Sequence, residues 1–256
     1  METILVIVCG LIIGSFLNVV IHRLPLKQSL IRPSSHCPRC LTPIPFYLNV
    51  PVLSYLWLRG RCRFCRQPIS PRYPLVELFT AFTFWLGFSF FGLTPHAAAT
   101  VLFLCLLIAL ALIDLEHMIL PDELTLSGAF VFAIYAFFHP QISPLNAFLS
   151  AFAAVSIFTA LYFFYLKVRK IEGLGFGDVK MMAFMGLFLG YEKLAVAVLL
   201  ASLAGTCAGL FFVFFRKKSM TFALPFGSFL SLGGYVAAFW GPDILRLIAS
   251  FTHPQR

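Results

Sequence analysis

The stretch AAATVLFLCLLIALALIDL, residues 97–115, decides the class of protein to which this chain belongs. No charged residue occurs from Thr100 to Ile113, and the one carboxylate of the stretch belongs to Asp114, close to its end. A run of about 20 apolar residues is long enough to cross the hydrocarbon core of a bilayer as a helix. The stretch therefore predicts a transmembrane helix that carries a carboxylate near one membrane surface.

The composition of the whole chain extends this interpretation. Of the 256 residues, 60% are hydrophobic and only 11% are charged, whereas roughly a quarter of the residues in a soluble domain are charged. The mean hydropathy is +0.92. This composition excludes a water-soluble globular domain, a disordered chain and a small disulfide-rich scaffold. It predicts an all-α protein that crosses the membrane several times.

Eight apolar segments are expected to be transmembrane helices. The first is expected to be a retained anchor rather than a cleaved signal peptide, because no basic residue precedes it and His22-Arg23 follow it in place of small residues. We predict three parts: a first transmembrane helix (1–22), a cytoplasmic loop (23–74) and a seven-helix membrane domain (75–256). The eight predicted segments are residues 3–21, 75–92, 97–115, 124–138, 146–166, 179–191, 194–215 and 222–240.

The net charge of +9 has a simple explanation in terms of membrane topology. With eight spans, 16 of the 19 Lys and Arg residues fall in segments on one side of the membrane, and only Lys193, Arg246 and Arg256 fall on the other. Because Lys and Arg gather in cytoplasmic loops, these 16 residues mark the cytoplasmic side and both termini lie outside. The basic residues are expected to meet lipid headgroups, and no nucleic-acid partner is expected.

Four of the seven cysteines lie in the first predicted loop, as two CxxC pairs separated by 21 residues. This spacing is typical of a tetrahedral Zn²⁺ site, and four thiolates leave no open position, so the metal would be structural. Disulfides are disfavoured in the reducing cytoplasm, and a redox motif would need a βαβ context. The predicted zinc ligands are Cys37, Cys40, Cys62 and Cys65.

Two aspartates stand out among the ten acidic residues. Asp114 lies where the third predicted segment meets the cytoplasm, and Asp178 opens the sixth segment on the same side. Gly175 and Gly177 precede Asp178 and allow close approach by a substrate chain. Carboxylates at a membrane boundary are costly and are therefore functional candidates. Two facing aspartates can share a proton, so that one activates water and the other protonates a carbonyl. The alternative is that each aspartate caps a helix.

Two neighbouring charged residues have simpler interpretations. Asp122 follows Pro121, which breaks the backbone, and is expected to cap the next helix. Lys180 lies two residues after Asp178, and either interacts with it or extends to the lipid headgroups.

Taken together, these motifs resemble the type IV prepilin peptidase family, whose members are membrane aspartic proteases of the GxGD type. GSFLNVVIHRLP at 14–25 is similar to the family's N-terminal motif, and the paired CxxC loop resembles its zinc-binding segment. Asp114 with Pro121-Asp122 resembles the region of the first catalytic aspartate, and GFGDVK at 175–180 resembles the motif with the second. The resemblance covers about two thirds of the chain, in the family's order, and eight helices fit the family's architecture.

The resemblance implies two reactions at the bacterial inner membrane. The first removes a basic leader from prepilin or pseudopilin substrates after a glycine, at the cytoplasmic face, with Asp114 and Asp178 as the catalytic residues. Gly175, Gly177 and Lys180 would position the loop or the substrate. The second reaction methylates the new N-terminal amine with S-adenosylmethionine.

The residues for methylation are less well defined by the sequence. The chain has no Rossmann-type glycine motif for the methyl donor. Methyl transfer needs a cationic methyl donor and a deprotonated amine, and a nearby carboxylate would favour both. Glu77 is a candidate for this carboxylate. Its alternative role is to interact with the positive end of a helix.

Three other functions remain as alternatives. One is a peptidase without methyltransferase activity, and another is a zinc-stabilised scaffold for a membrane assembly. The third is a proton-coupled transporter, which would usually place carboxylates near the bilayer midplane and show an inverted repeat. Here the acids lie at the membrane edge, and the sequence shows no such repeat.

Overall fold

The computed structural model describes residues 1–170, 175–216 and 224–252. In these ranges the regular structure is helical, apart from two isolated β-bridges. The start of the eighth predicted segment (222–223) lies outside the described residues, as do Lys217, Lys218 and Arg256 among the basic residues used to orient the chain.

Each of the eight predicted apolar segments is helical over most of its described length, the exceptions being Gly92 and residues 224–225. This confirms the predicted all-α membrane fold. The sixth and seventh segments are two helices that meet at a kink at Gly190, whose backbone is not helical, and they are numbered together as α7. The last segment was predicted to end at residue 240, but its helix continues through Pro242 to Thr252. The helices are α1 Glu2–Arg23, α2 Leu53–Trp57, α3 Arg72–Phe91, α4 Pro95–His117, α5 Asp122–Tyr135, α6 Pro144–Phe164, α7 Phe176–Arg216 and α8 Phe226–Thr252.

Five helices in the described ranges are long and apolar enough to cross a membrane, judged by length and composition. The α5 helix has 14 residues and is shorter than these five, although a 3₁₀ turn at Ala136–Phe138 follows it directly. The five candidate spans are Glu2–Arg23, Arg72–Phe91, Pro95–His117, Pro144–Val168 and Phe176–Phe215.

Local sequence explains where several helices begin and end. The Thr94 hydroxyl accepts a hydrogen bond from the Ala97 amide at 3.1 Å before α4, and Ser143 caps α6 in the same way. In both cases a proline follows the capping residue, and its fixed φ suits the first turn. Gly190 adopts a φ of +68°, which favours glycine and interrupts α7.

The chain forms two compact units, residues 1–105 and 106–256. In the N-terminal unit, α1 packs closely on α3. A Cβ at Gly10 would lie 2.6 Å from the Ala81 Cα, and one at Gly14 would lie 2.7 Å from the Glu77 Cα. These two glycines, four residues apart on α1, therefore let the two backbones approach as small residues do in membrane helix pairs.

In the C-terminal unit, α7 is the central helix and packs against α5, α6 and α8. Gly186 faces the α6 backbone, where a Cβ would lie 2.6 Å from the Ala151 Cα. Phe132 of α5 is fully buried, and its ring centroid lies 5.1 Å from that of Phe188 on α7. This packing fixes the N-terminal half of α7, which carries Asp178 on its first turn.

Candidate active site and metal centre

Asp114 lies in the last turn of α4 and is held by the start of α8. Only 5% of its surface is exposed. Its Oδ2 accepts hydrogen bonds from the Ser228 amide at 2.8 Å and from the Ser228 hydroxyl at 3.1 Å. That hydroxyl is also 2.9 Å from the Ala111 carbonyl, and with one proton it donates to one of these acceptors at a time. The carboxylate is thus buried and fixed in orientation.

Asp178 occupies the first turn of α7 and is equally buried, with 5% of its surface exposed. Its Oδ2 accepts a hydrogen bond from the Gly175 amide at 3.2 Å, and its own amide donates to the Gly175 carbonyl at 3.1 Å. The glycine before the helix therefore orients the aspartate through backbone contacts alone. The first part of the glycine-rich segment, residues 171–174, lies outside the described residues.

The structure brings the two aspartates together around Leu120. A Cβ at Gly177 would lie 2.8 Å from the Leu120 Cβ, and one at Gly227 would lie 2.9 Å from the Leu120 Cδ1 and 3.0 Å from the Asp114 Oδ2. The carboxylates of Asp114 and Asp178 are close enough to repel each other when both are charged. Two buried carboxylates so arranged can share a proton.

The structure corrects two interpretations of the neighbouring charges. Pro121 is the N-cap of α5, and Asp122 makes no capping hydrogen bond, so the predicted cap is wrong. The Asp122 Oδ1 instead lies 2.6 Å from the Lys180 Nζ. Lys180 also lies over the Phe176 ring, 5.3 Å from its centroid. Lys180 therefore ties the start of α7 to the start of α5.

The four loop cysteines form a cluster that can hold a metal ion, as the spacing predicts. All four Sγ atoms lie within 4.8 Å of one another, and the Cys37 and Cys65 Sγ atoms are 3.8 Å apart. A tetrahedral zinc site with metal–sulfur bonds of about 2.3 Å has sulfur–sulfur edges of about 3.8 Å. The donor set, Cys37, Cys40, Cys62 and Cys65, thus fits zinc in both chemistry and spacing.

The two CxxC pairs adopt the same backbone arrangement. In each, the first cysteine amide donates to a carbonyl five residues later, and its carbonyl accepts from an amide four residues later. That amide belongs to Leu41 in one pair and Arg66 in the other, both with positive φ. Hydrogen bonds from Thr42 lower the pKa of the Cys40 thiol to about 6, whereas burial and the three neighbouring cysteines raise the pKa of Cys65 to about 11. A bound metal would favour the thiolate form of all four.

Glu77, the candidate for methylation, belongs to the N-terminal unit, whereas both aspartates belong to the C-terminal unit. It is in the second turn of α3, and only 7% of its surface is exposed. Its Oε2 accepts a hydrogen bond from the Val52 amide at 2.7 Å, and the Ser15 side chain also hydrogen-bonds to it. The carboxylate therefore contacts the loop before α2 and the α1 helix rather than only its own helix terminus.

Sequence reasoning missed Ser228, Gly227 and Leu120, which complete the surroundings of the aspartates. Leu120 looked like a loop residue between two spans, and Ser228 comes from a helix 114 residues after Asp114. The motif Pro225-Phe226-Gly227-Ser228 at the start of the eighth segment is the signal that could have pointed to this region.

These features define a helical membrane protein with a buried carboxylate pair in one unit and, in the other, a four-thiol cluster that can hold a metal ion. Comparison with known proteins gives the family. Residues 8–91 match the model of the bacterial peptidase A24 N-terminal domain, and residues 101–210 match that of the type IV leader peptidase family. No solved structure matches the chain significantly.

Several curated relatives cover almost the whole chain, and each is named a prepilin leader peptidase/N-methyltransferase. The Aeromonas hydrophila protein is 38% identical in an alignment of 269 positions that covers 94% of this chain and 92% of the relative. The Pseudomonas aeruginosa protein is 36% identical over 96% of this chain and 93% of its own length. The Stutzerimonas stutzeri protein is 33% identical, with the same coverage of each chain. The chain therefore belongs to the type IV leader peptidase family.

Proposed function

We propose that this chain cleaves the basic leader from prepilin-like proteins after a glycine, and then methylates the new N-terminal residue. The observation that carries the peptidase activity is the pair of buried carboxylates, Asp114 and Asp178, gathered around Leu120 in the C-terminal unit. The names of the relatives, prepilin leader peptidase/N-methyltransferase, support both activities and make the chain an enzyme of two functions.

The peptidase reaction follows from two carboxylates that share one proton. The charged carboxylate takes a proton from water, whose oxygen attacks the scissile carbonyl carbon, while the protonated one donates to the carbonyl oxygen. The carbon–nitrogen bond then breaks, and the leaving amine takes up a proton. The two hydrogen-bond donors of Ser228 hold the Asp114 carboxylate in place through these steps.

The site is suited to a substrate that spans the membrane. Asp114 ends α4 and Asp178 begins α7, so both lie at helix ends rather than in the middle of a span. An apolar prepilin helix can remain in lipid while its polar leader reaches the aspartates from the cytoplasm. The positive charges of the described loops support this orientation in the bacterial inner membrane.

Gly177 is proposed to position the catalytic loop, and the Gly177→Ala variant tests this. The added Cβ would lie 2.8 Å from the Leu120 Cβ, so the start of α7 must shift away from Leu120. We expect cleavage to slow by about tenfold or more, because displacements of about 1 Å can cost a hundredfold. The matched control is Gly205→Ala, whose Cβ would find its nearest neighbour at 3.6 Å. Equal cleavage rates for the two variants, read by mass spectrometry, would contradict the proposal.

Gly175 and Lys180 are proposed to act with Gly177, since Gly175 orients Asp178 and Lys180 ties α7 to α5. The Lys180→Gln variant removes the ion pair with Asp122, and we expect kcat for leader cleavage to fall several-fold. The Asp122→Asn variant should cause a similar loss, and the double variant should lose no more than either alone. Additive losses would show that Lys180 acts in some other way.

The metal is proposed to be a structural zinc ion. Four thiolates from one loop saturate a tetrahedral ion, so a bound zinc would hold the loop together and supply no open coordination position. A loop of this size has little core of its own, and a metal contributes folding free energy directly.

Methylation requires a donor, which is proposed to be S-adenosylmethionine. When bound, it supplies a methyl group to the N-terminal amine, which loses a proton, and it leaves as the neutral thioether S-adenosylhomocysteine. Glu77 is the proposed carboxylate for this step, because it is buried in the N-terminal unit and can favour positively charged groups nearby.

The combined function is tested by incubating the purified protein with a prepilin, with and without S-adenosylmethionine. Mass spectrometry should show loss of the leader in both reactions, and one added methyl group only when the donor is present. A cleaved but unmethylated product would show a peptidase without methyltransferase activity. An uncleaved prepilin would overturn the whole proposal.

A further inference from the structure

One side of the short helix α2 is apolar and exposed. Leu53, Leu56 and Trp57 have the i, i+3 and i+4 spacing that places side chains on one face of a helix. All three are exposed, and 86% of the surface of Trp57 is accessible. The other side of the helix, with Ser54 and Tyr55, faces a cavity in the N-terminal unit. The α2 outer face (Leu53, Leu56 and Trp57) is therefore left uncovered by the described part of the chain.

Contacts with α1 and α3 hold α2 near the membrane boundary. The amide of Val52, the residue before α2, donates to the Glu77 Oε2 at 2.7 Å. Glu77 is five residues, about 8 Å, into α3. It also hydrogen-bonds to the side chain of Ser15, eight residues before the end of α1. Both helices are candidate spans. The α2 helix therefore begins level with the ends of the spans rather than out in the cytoplasm.

The loop that carries α2 is strongly basic. From residue 3 to residue 76 the sequence has no Asp or Glu. Residues 23–74 contain nine Lys and Arg residues, and seven of these are exposed. Four of the exposed residues follow α2 within ten positions: Arg59, Arg61, Arg63 and Arg66. An apolar helix face next to basic residues complements an anionic membrane surface. Guanidinium groups also match the geometry of phosphates.

We propose that the α2 outer face inserts into the headgroup region of the bilayer and that the arginines after α2 bind anionic lipid phosphates. Tryptophan favours the boundary between membrane and water, and insertion removes Leu53 and Leu56 from water. The leader of the proposed substrate is basic, so its charge does not complement this loop. A lipid surface is the partner that fits both the apolar face and the charge.

Tryptophan fluorescence of the full-length protein in lipid vesicles tests the insertion. The chain has three tryptophans, so the Trp85→Phe/Trp240→Phe variant reports on Trp57 alone. In vesicles of three parts phosphatidylcholine to one part phosphatidylglycerol, lipids brominated near the headgroup should quench Trp57. Acrylamide should quench it about twofold less than in phosphatidylcholine alone. The difference between the wild type and Trp57→Phe gives the same signal without the double substitution.

The contribution of the arginines is tested in the single-tryptophan protein. Arg59→Gln/Arg61→Gln removes two positive charges next to α2 and should reduce the effect of phosphatidylglycerol on acrylamide quenching. The matched control is Arg246→Gln, which removes the charge of an exposed arginine on α8 and should leave that effect unchanged. Equal quenching by acrylamide in the two kinds of vesicle, without any of these substitutions, would overturn the proposed role of the arginines.

Two other results would overturn the insertion of α2. If acrylamide reaches Trp57 as readily as in the denatured chain and brominated lipids do not quench it, then Trp57 lies in water. If Trp57 is protected from acrylamide but brominated lipids do not quench it, then protein covers the face, as a second copy of the chain would. Insertion of α2 is independent of leader cleavage and methylation, so the failure of either activity would leave it standing.

Discussion

Replacing either Asp114 or Asp178 with asparagine is expected to reduce leader cleavage by a factor on the order of 10³ or more. Asparagine keeps the size of the side chain and can still accept the hydrogen bonds of Ser228 or Gly175. It cannot take up or release a proton, and proton transfer by a positioned side chain contributes about 10²–10⁴-fold. Loss of a proton shared by two carboxylates removes the acid and the base together. The measurement is the rate of prepilin cleavage by mass spectrometry.

Glu123→Gln provides the matched control for these variants. Glu123 is an exposed acid of α5, in the same unit as both aspartates. The Glu123→Gln variant should cleave prepilin at the wild-type rate. Zinc content and methylation of an already cleaved pilin should be normal in all three variants. Normal cleavage by Asp114→Asn or by Asp178→Asn would remove the basis of the peptidase proposal.

Substitution of one loop cysteine is expected to abolish zinc binding. Cys62→Ser replaces one of four thiolates whose sulfur atoms lie within 4.8 Å of one another. Structural zinc contributes about 10–16 kcal/mol of apparent binding free energy in small zinc-finger peptides, and this is folding free energy. Elemental analysis should therefore show about one zinc per wild-type chain and almost none in Cys62→Ser. The arginine-rich loop should also become sensitive to trypsin.

Cys207→Ser is the control, because Cys207 is an exposed residue of α7 and is not one of the clustered cysteines. It should retain one zinc and resist trypsin as the wild type does. A Cys62→Ser protein that still carries a full zinc equivalent would show that the four thiols do not form one site.

The sequence was most informative where a residue type is rare. With ten acids in the chain, Asp114 and Asp178 could be selected because each interrupts apolar sequence near a predicted membrane edge. The paired CxxC spacing likewise identified four residues that the structure gathers into one cluster. Both predictions needed only the local sequence and the known cost of polar groups in membranes.

Contacts between distant segments could not be predicted in the same way. Ser228 reaches Asp114 because α8 packs on the bundle, and nothing near Asp114 encodes that packing. Asp122 looked like a cap because its partner, Lys180, is 58 residues away. Gly10 and Gly14 let α1 pack tightly on α3, and no residue near them in the sequence indicates that contact.

The break at Gly190 has a consequence for the lipid around the proposed peptidase site. From Phe176 through Leu189 the first half of α7 has fourteen residues, a rise of about 21 Å. The hydrocarbon core of a bilayer is about 30 Å thick. The α5 helix, which packs on α7, is equally short. Lipid that adapts to such segments becomes thinner at a modest cost per ångström. Local thinning would bring the aqueous boundary toward Asp178, and with it the water that the proposed hydrolysis consumes.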